Sequence, residues 1–500
     1  MLGKLYRWRR IVAVSLAAVT ALAIVNVAGA QEEGFDAEAA VTDLTTGLDT
    51  AWLLLAAFLV FFMQLGFAMV EAGFVRAKNT TNILMKNVLD ACIGGIAFFA
   101  VGYGLAYGLN GAESNMFFGD GHFFLNSFDN YAFWIFQFAF AATAATIVSG
   151  CMAERTKFSA YLVYTAFISA LVYPIVVHWA WDGNGWLANA YLSADAIGAN
   201  GYMDFAGSGV VHMVGGTAGL VGAIIVGPRI GKFTGGKINA IPGHSIALGT
   251  LGMFVLWVGW YGFNPGSTLA LSGGFAALAA KVAVTTTLAA CAGGVTAVVL
   301  SKLRTGAYDM GLTINGILGG LVGITASCAI VDPWASIVIG AVGAAIVMAG
   351  VELLDRLHID DPVGAAPVHL GAGLWGVLAV GLFATDEGIT AAFTGPTEQY
   401  GLLVGGGAEQ LGVQALGAAA IVGWTAVTSA VLFLAIKYTI GLRVSEQEEL
   451  EGLDQGEHGA SAYNFGDVVG AGTHTHGASG SVPSVTPGFA GASNPAAQIQ

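Results

Sequence analysis

The sequence predicts an all-α polytopic membrane protein with eleven transmembrane helices. They are arranged as a five-plus-five inverted repeat plus one extra helix, with the N-terminus outside and the C-terminus cytoplasmic. Three observations predict this. First, apolar residues make up 56% of the 500-residue chain and charged residues only 10%, whereas soluble domains carry roughly a quarter charged residues. The apolar residues also gather in runs of about twenty, enough to cross a hydrocarbon core of ~30 Å. Second, Lys and Arg occur in every other loop. Third, two segments five spans apart resemble each other.

The chain opens with Lys4, Arg7, Arg9 and Arg10, then a short apolar stretch ending in Ala28-Gly29-Ala30, with acidic residues immediately after. This is the pattern of a cleaved secretory signal over 1–30; a retained first helix is the competing reading. A transmembrane domain follows over 31–440. Its spans are expected near 51–74, 82–109, 131–153, 158–180, 204–227, 244–264, 275–301, 308–330, 334–355, 364–386 and 411–440. Arg76, Lys78 and Lys86 flank the first loop, and Arg155 and Lys157 the third. Arg229, Lys232 and Lys237 lie in the fifth, Lys302 and Arg304 in the seventh, and Arg356 in the ninth. Lys437 and Arg443 lead into the tail, and the even-numbered loops hold no Lys or Arg. This alternation follows the positive-inside rule and sets the orientation. Apart from Lys86 and Lys437, which flank loops, Lys281 alone falls inside a span, where it can snorkel or meet a neighbouring subunit.

Composition narrows the function. The 73 glycines read as close helix packing in a membrane. A net charge of -14 offers no basic stripe for nucleic acid. The four cysteines (Cys92, Cys151, Cys291, Cys328) sit in apolar stretches without CxxC spacing and read as buried small hydrophobes. Glu71, Asp90 and Glu352 read as capping or interhelical polar contacts.

The repeated segments carry the chemistry. Asp204 precedes His212 by eight residues in DFAGSGVVHMVGG, and Asp361 precedes His369 by eight in DPVGAAPVHLGAG. Five intervening spans make the two segments antiparallel, as an inverted repeat requires. Eight helical residues advance ~12 Å, which carries both histidines to mid-depth from opposite sides. Ionisable groups at that depth mark function by default. Three alternatives remain: histidines satisfied by backbone carbonyls, a haem held by the pair, and a zinc hydrolase that lacks its HExxH motif.

Long segments then show a resemblance: FMQLGFAMVEAGFVRAKNT, SGCMAERTKFSA, DFAGSGVVH, GWYGFNPGS, DDPVGAAPVHLGAGLWG and GLRVSEQEELEGLDQGEHGASAY. From about Trp52 to Tyr463 the chain resembles the Amt/Rh ammonium transporters, in particular the Amt branch. The resemblance implies a homotrimer in which each subunit has a hydrophobic pore lined by twin histidines, His212 and His369. It implies an outer recruitment site of Phe140, Trp181 and Ser267, a gate formed by Phe140 stacked on Phe263, and Asp204 stabilising the cation without touching it. Phe136 is expected as a vestibule neighbour. Ammonium would lose its proton, and ammonia would pass the histidines. Net ammonium movement is preferred over neutral conduction. The implied function is an ammonium transporter, with an ammonium sensor signalling through its tail as the alternative; neither an enzyme nor a cofactor or metal is implied.

The chain departs from the family pattern where many members carry an acidic residue and an aromatic before the second histidine. Here Gly364 and Ala366 stand there, and Pro367 predicts a kink or a helix start, which leaves the inner gate unassigned. Residues 441–463 read as a cytoplasmic regulatory tail, with a short helix near Ser445–Leu450, packing on the neighbouring subunit by resemblance. Residues 464–500, which include His474 and His476, read as a disordered extension. Prokaryotic relatives are blocked at the cytoplasmic face by a PII-type nitrogen-signalling protein, a partner compatible with this sequence. The signal pattern and short loops predict a bacterial inner membrane.

Overall fold

The computed structural model describes residues 36–109, 115–188, 201–393 and 399–463. The expected signal (1–30) and the expected disordered extension (464–500) lie outside the described residues. The described residues up to Ala462 belong to one compact unit.

Nine described helices are long and apolar enough to cross a membrane. They are α1 (Ala37–Phe74), α2 (Ala77–Tyr107), α3 (Tyr131–Met152), α4 (Phe158–Trp181), α5 (Ser208–Val226), α6 (Ile246–Thr268) and α7 (Phe275–Thr305), then α9 (Pro333–Arg356) and α12 (Glu409–Thr439). The expected span at 308–330 is a shorter helix, α8 (Met310–Thr325), of 16 residues. The expected span at 364–386 is α10 (Pro367–Phe383), which meets α11 (Asp386–Phe393) at 112°; the pair counted as one bent span makes ten. Two short helices, α13 (Glu446–Glu451) and α14 (Leu453–His458), follow in the tail.

Helix α1 starts at Ala37, well ahead of the expected residue 51. Asp36 caps it, accepting from the amides of Glu38 and Ala39 at 3.1 Å each. The polar stretch that follows contains no proline, so the helix extends beyond its apolar run. Helices α1 and α6 pack closely because glycines remove side chains from their seam. A Cβ on Gly252 would lie 2.5 Å from the Val70 amide nitrogen, and one on Gly73 would lie 2.5 Å from that of Gly249. Helix α3 is buried from Phe136 to Met152, with α1 and α2 against it and α5 between it and α12. Helices α7, α8 and α9 pack together on the other side. Phe58, Phe61, Val295, Val427 and Val431 are all exposed, the reverse of a soluble protein's surface.

The polar residues inside the bundle bridge helices. Glu71 accepts from Ser149 Oγ at 2.6 Å and from Asn87 Nδ2 at 3.1 Å. Asp90 accepts from Tyr161, Thr165 and Thr146. Glu352 pairs with Arg304 and Arg356. Lys281 Nζ donates to the Ala329 carbonyl at 3.1 Å, the end of α8's connection to α9.

Candidate functional site

Both histidines lie in a π-helical turn just inside a helix that an aspartate caps. The Asp204 carboxylate accepts four amides, from Gly207, Ser208, Gly209 and Val210, at 2.8–2.9 Å. Four N–H donors at a helix start are the usual unmet groups of that end, and one side chain satisfies them all. Gly207 has φ of +112°, and a Cβ there would come within 3.1 Å of the Trp181 ring. Three residues after Asp361, Gly364 likewise has φ of +74°, and Asp361 accepts from the amides of Gly364 and Ala366. The π-turns run over Ser208–Met213 and Pro367–Gly371. Pro367 therefore sits in a first turn, where its missing N–H costs nothing.

This corrects the expected depth. Asp204 stands outside the helix, so four helical steps, ~6 Å rather than ~12 Å, separate the start of α5 from His212. Residues 201–207, which precede that helix, are non-helical and almost all buried. Irregular backbone within a membrane protein is tolerated where protein surrounds it.

The rings meet. His212 Nδ1 and His369 Nδ1 are 3.1 Å apart, and the rings stack at 5.2 Å between centroids. One Nδ1 must donate and the other accept, so when both rings are neutral the pair presents one Nε2 donor and one Nε2 acceptor. His212 Nε2 has no partner among the described residues. Rings in direct contact cannot occupy opposite faces of one haem, which removes that alternative. Among the described residues no group of three or more His, Cys, Asp or Glu is placed to hold a metal. Trp260 stacks on His212 at 5.2 Å and Phe263 at 5.4 Å.

Outside this pair lies a cavity of about 330 Å³, whose lining includes Phe136, Phe140, Trp181, Asp204 and Ser267. Phe140 stacks on Phe263 at 4.2 Å and 31°, and Trp181 meets Phe140 edge-on at 5.8 Å. Trp181 Nε1 donates to the Asp204 carbonyl at 2.7 Å, which fixes the indole. The Ser267 hydroxyl donates to the Phe263 carbonyl at 2.8 Å. Its lone pairs are thereby left for the cavity. All five expected outer-site residues therefore come together, and Phe136 lies beside Phe140 at 4.7 Å.

On the other side of the pair a cavity of about 30 Å³ touches His369, Phe67 and Glu71. Asn315 and Val363 line both this cavity and an open vestibule of about 620 Å³ beyond it. A buried ionic cluster adjoins the vestibule. Arg229 bonds Asp360 at 2.8 and 2.9 Å and Glu154 at 3.2 Å. Glu154 also accepts from Arg76. The tail docks here on its own chain. Arg443 pairs with Glu449 at 2.7 Å, and Glu449 accepts from the Ile230 amide at 2.7 Å. Asp454 accepts from the Asn82 amide and Glu457 from that of Phe158. Ser445 caps α13 through a reciprocal box with Glu448.

A model of the Ammonium Transporter Family matches residues 51–463. The chain belongs to the ammonium transporter family. It is 45% identical to the ammonium transporter Amt2 of Archaeoglobus fulgidus over 456 residues, covering 90% of this chain and 95% of that one. It is 46% identical over 410 residues to a putative ammonium transporter 1 member 5 of Arabidopsis thaliana, covering 79% and 82%. Among solved structures, one described as a Sensor Amt Protein superposes with a TM-score of 0.75 at 37% identity, covering 83% of this chain and all of that one. Candida albicans Mep2 superposes with a TM-score of 0.71 at 30% identity, covering 80% and 87%. In this family member, sequence reasoning missed Trp260, Phe67 and Asn315. Trp260 was findable, three residues before Phe263 in the GWYGFNPGS segment; Asn315 carried no motif.

Proposed function

We propose that the protein moves ammonium across the membrane by recruiting it at Phe140, Trp181 and Ser267, deprotonating it, and passing ammonia along His212 and His369. The proton follows through the imidazoles, so charge moves. The observation that carries this is the stacked Phe140–Phe263 pair at 4.2 Å, which separates a cage suited to a cation from a buried histidine pair. Aromatic faces stabilise a cation by ~0.5–2 kcal/mol, while the dry passage beyond penalises any charge. Asp204, with its oxygens on four amides, stabilises the cation through its charge and not by contact.

The architecture we propose has eleven spans, counting α8 and α10 with the nine longer helices, in two inverted five-helix halves plus α12. The N-terminus is outside and the C-terminus cytoplasmic, as the Lys and Arg alternation supports. The transmembrane domain covers 31–440 and the regulatory tail 441–463. A homotrimer in a bacterial inner membrane, regulated at its cytoplasmic face by a PII-type protein, completes the reading.

The test is the current evoked by an ammonium jump across proteoliposomes, for wild type and His212→Ala. A saturable current lost in the variant is expected; no current in folded wild type overturns electrogenic transport. Similarity to a structure described as a sensor favours a second reading, an ammonium sensor signalling through its tail. It requires ammonium binding with neither current nor internal alkalinisation.

A further inference from the structure

The small cavity inward of the histidine pair has a polar wall that the transport path above leaves unused. Its volume of about 30 Å³ holds one or two molecules the size of water, and so of ammonia. It is apolar except at His369, Glu71 and Asn315. Glu71 is 3% exposed, and among the described residues its oxygens accept only from the neutral donors Ser149 and Asn87. A carboxylate has about four acceptor positions, so capacity remains toward the cavity. A Cβ on Gly150 would touch Val363 and Ala365 and lie 3.7 Å from Glu71 Oε1. The carboxylate thus stands against the first turn that carries His369.

Among the described residues no basic side chain neutralises it at contact. Lys86, beside Asn87 in sequence, turns its ammonium to the Thr156 carbonyl at 2.9 Å. Asp90, on the same helix, is held by three hydroxyls. Across the seam, Cys151 faces Asp361 at 3.8 Å, and Asp361 itself caps the turn before His369. A buried carboxylate without a cationic partner, lining a cavity on a solute path, is a functional group by default.

We propose that Glu71 is the inner proton acceptor of this pore, taking the proton that reaches His369 and giving it to ammonia in the inner cavity. The His369 N–H bond breaks as a Glu71 O–H bond forms, leaving neutral imidazole and neutral carboxyl. Ammonia then takes that proton: the O–H bond breaks, an N–H bond forms, and ammonium and carboxylate result. Ammonium leaves past Asn315, whose amide nitrogen is held by the Val363 carbonyl at 3.0 Å, so that Oδ1 is the acceptor at the exit.

This rests on the reading that the proton passes through the imidazoles, and the test separates the two. Full-length wild type, Glu71→Gln and Glu71→Asp are compared in proteoliposomes for ammonium-evoked current and internal pH. The Gln variant is expected to lose current by about a hundredfold, the lower range for a positioned proton-transfer group. It should still alkalinise the interior, because ammonia passes without its proton; the Asp variant should recover part of the current. Wild-type current in Glu71→Gln overturns the inference and leaves the pore reading intact. Absence of current in wild type overturns the proton path through the imidazoles and the inference with it. Neither current nor alkalinisation in a folded Gln variant marks a structural role and also overturns the inference. Should Glu71→Gln fail to fold, infrared difference spectra of wild type on ammonium perfusion decide. A carboxyl C=O band that changes with ammonium and persists in Asp90→Asn is expected, and its absence overturns the proposal.

Discussion

At Ser267 the hydroxyl hydrogen is already committed to the Phe263 carbonyl at 2.8 Å, so the cavity meets an acceptor. An acceptor discriminates, because ammonium donates a hydrogen bond and potassium has none to give. A hydrogen bond to a charged partner contributes ~1.5–3 kcal/mol, and each ~1.4 kcal/mol is a factor of ten in affinity. Ser267→Ala should therefore raise the half-saturating ammonium concentration about tenfold, with inhibition by potassium becoming relatively stronger. Competition of the two ions on the evoked current measures both effects, and an unchanged ratio would mean that Ser267 does not touch the solute. The residues of this candidate outer site could be named from the sequence because Asp204, Phe263 and Ser267 lie in long recognisable segments, with Phe140 fourteen residues before Glu154 and Trp181 three after His178. Glu71 reads in the sequence as an interhelical contact, which it is. Its second face, toward the inner cavity, is set by the register of α1 against α10, and no local pattern records that. Phe67 is one aromatic among many in an apolar span, where packing is the commoner role.

At the scale of the element, the apolar runs marked the helices, because a bilayer imposes about twenty such residues per crossing. Where helices begin was less legible, since caps and irregular entries decide it. The repeated spacing from aspartate to histidine is visible in the sequence, but it does not correspond to eight helical steps, because the aspartate stands outside the helix. What repeats is a device: a capping carboxylate, a glycine three residues on with positive φ, and a π-turn that turns the imidazole inward. Gly364 tests it. At φ of +74° a Cβ would lie 2.8 Å from Asn315 Nδ2, whereas at Gly231, with φ of +86°, a Cβ would meet nothing within 4 Å. Alanine at either position bears the left-handed penalty of ~1–2 kcal/mol. Only Gly364→Ala should also displace Asn315, adding destabilisation and slowing transport. Thermal unfolding and flux of the two variants side by side give the comparison, and matched losses would show that the Asn315 contact is immaterial.

Across the whole molecule, the face that carries the Lys- and Arg-bearing loops is joined by a cluster no single segment announces. Arg76, Glu154, Arg229 and Asp360 come from four separate loop regions, and Arg443 with Glu449 ties the tail to the fifth loop. The charges were legible as topology signals, but their pairing depends on how the helices converge. Glu154 has φ of +73°, a strained conformation for a non-glycine residue that surrounding contacts must hold. Burial alone would raise the Asp360 carboxyl, but the Arg229 hydrogen bond and the charges of Arg155 and Arg229 outweigh it and bring the pKa to about 2. Burial likewise opposes, and Arg229 and Arg76 overcome it, at Glu154, which is lowered as well. A carboxyl with a folded pKa below its unfolded value contributes stability that is fully present above the unfolded value. That contribution is lost as pH falls through the folded one. The Asp360 contribution should therefore hold from neutrality to about pH 4 and disappear toward about pH 2, and a shift of this size corresponds to about 2 kcal/mol. Asp360→Asn leaves Arg229 short of a buried counter-charge and should destabilise the protein by ~3–5 kcal/mol at neutral pH. In the same variant the acid-dependent loss should flatten, since its main titrating group is gone. Melting curves from neutral to acid pH for both proteins measure the two effects together. A variant that is destabilised yet keeps the full wild-type acid slope would assign that slope to other carboxylates and remove Asp360 from the centre of the cluster.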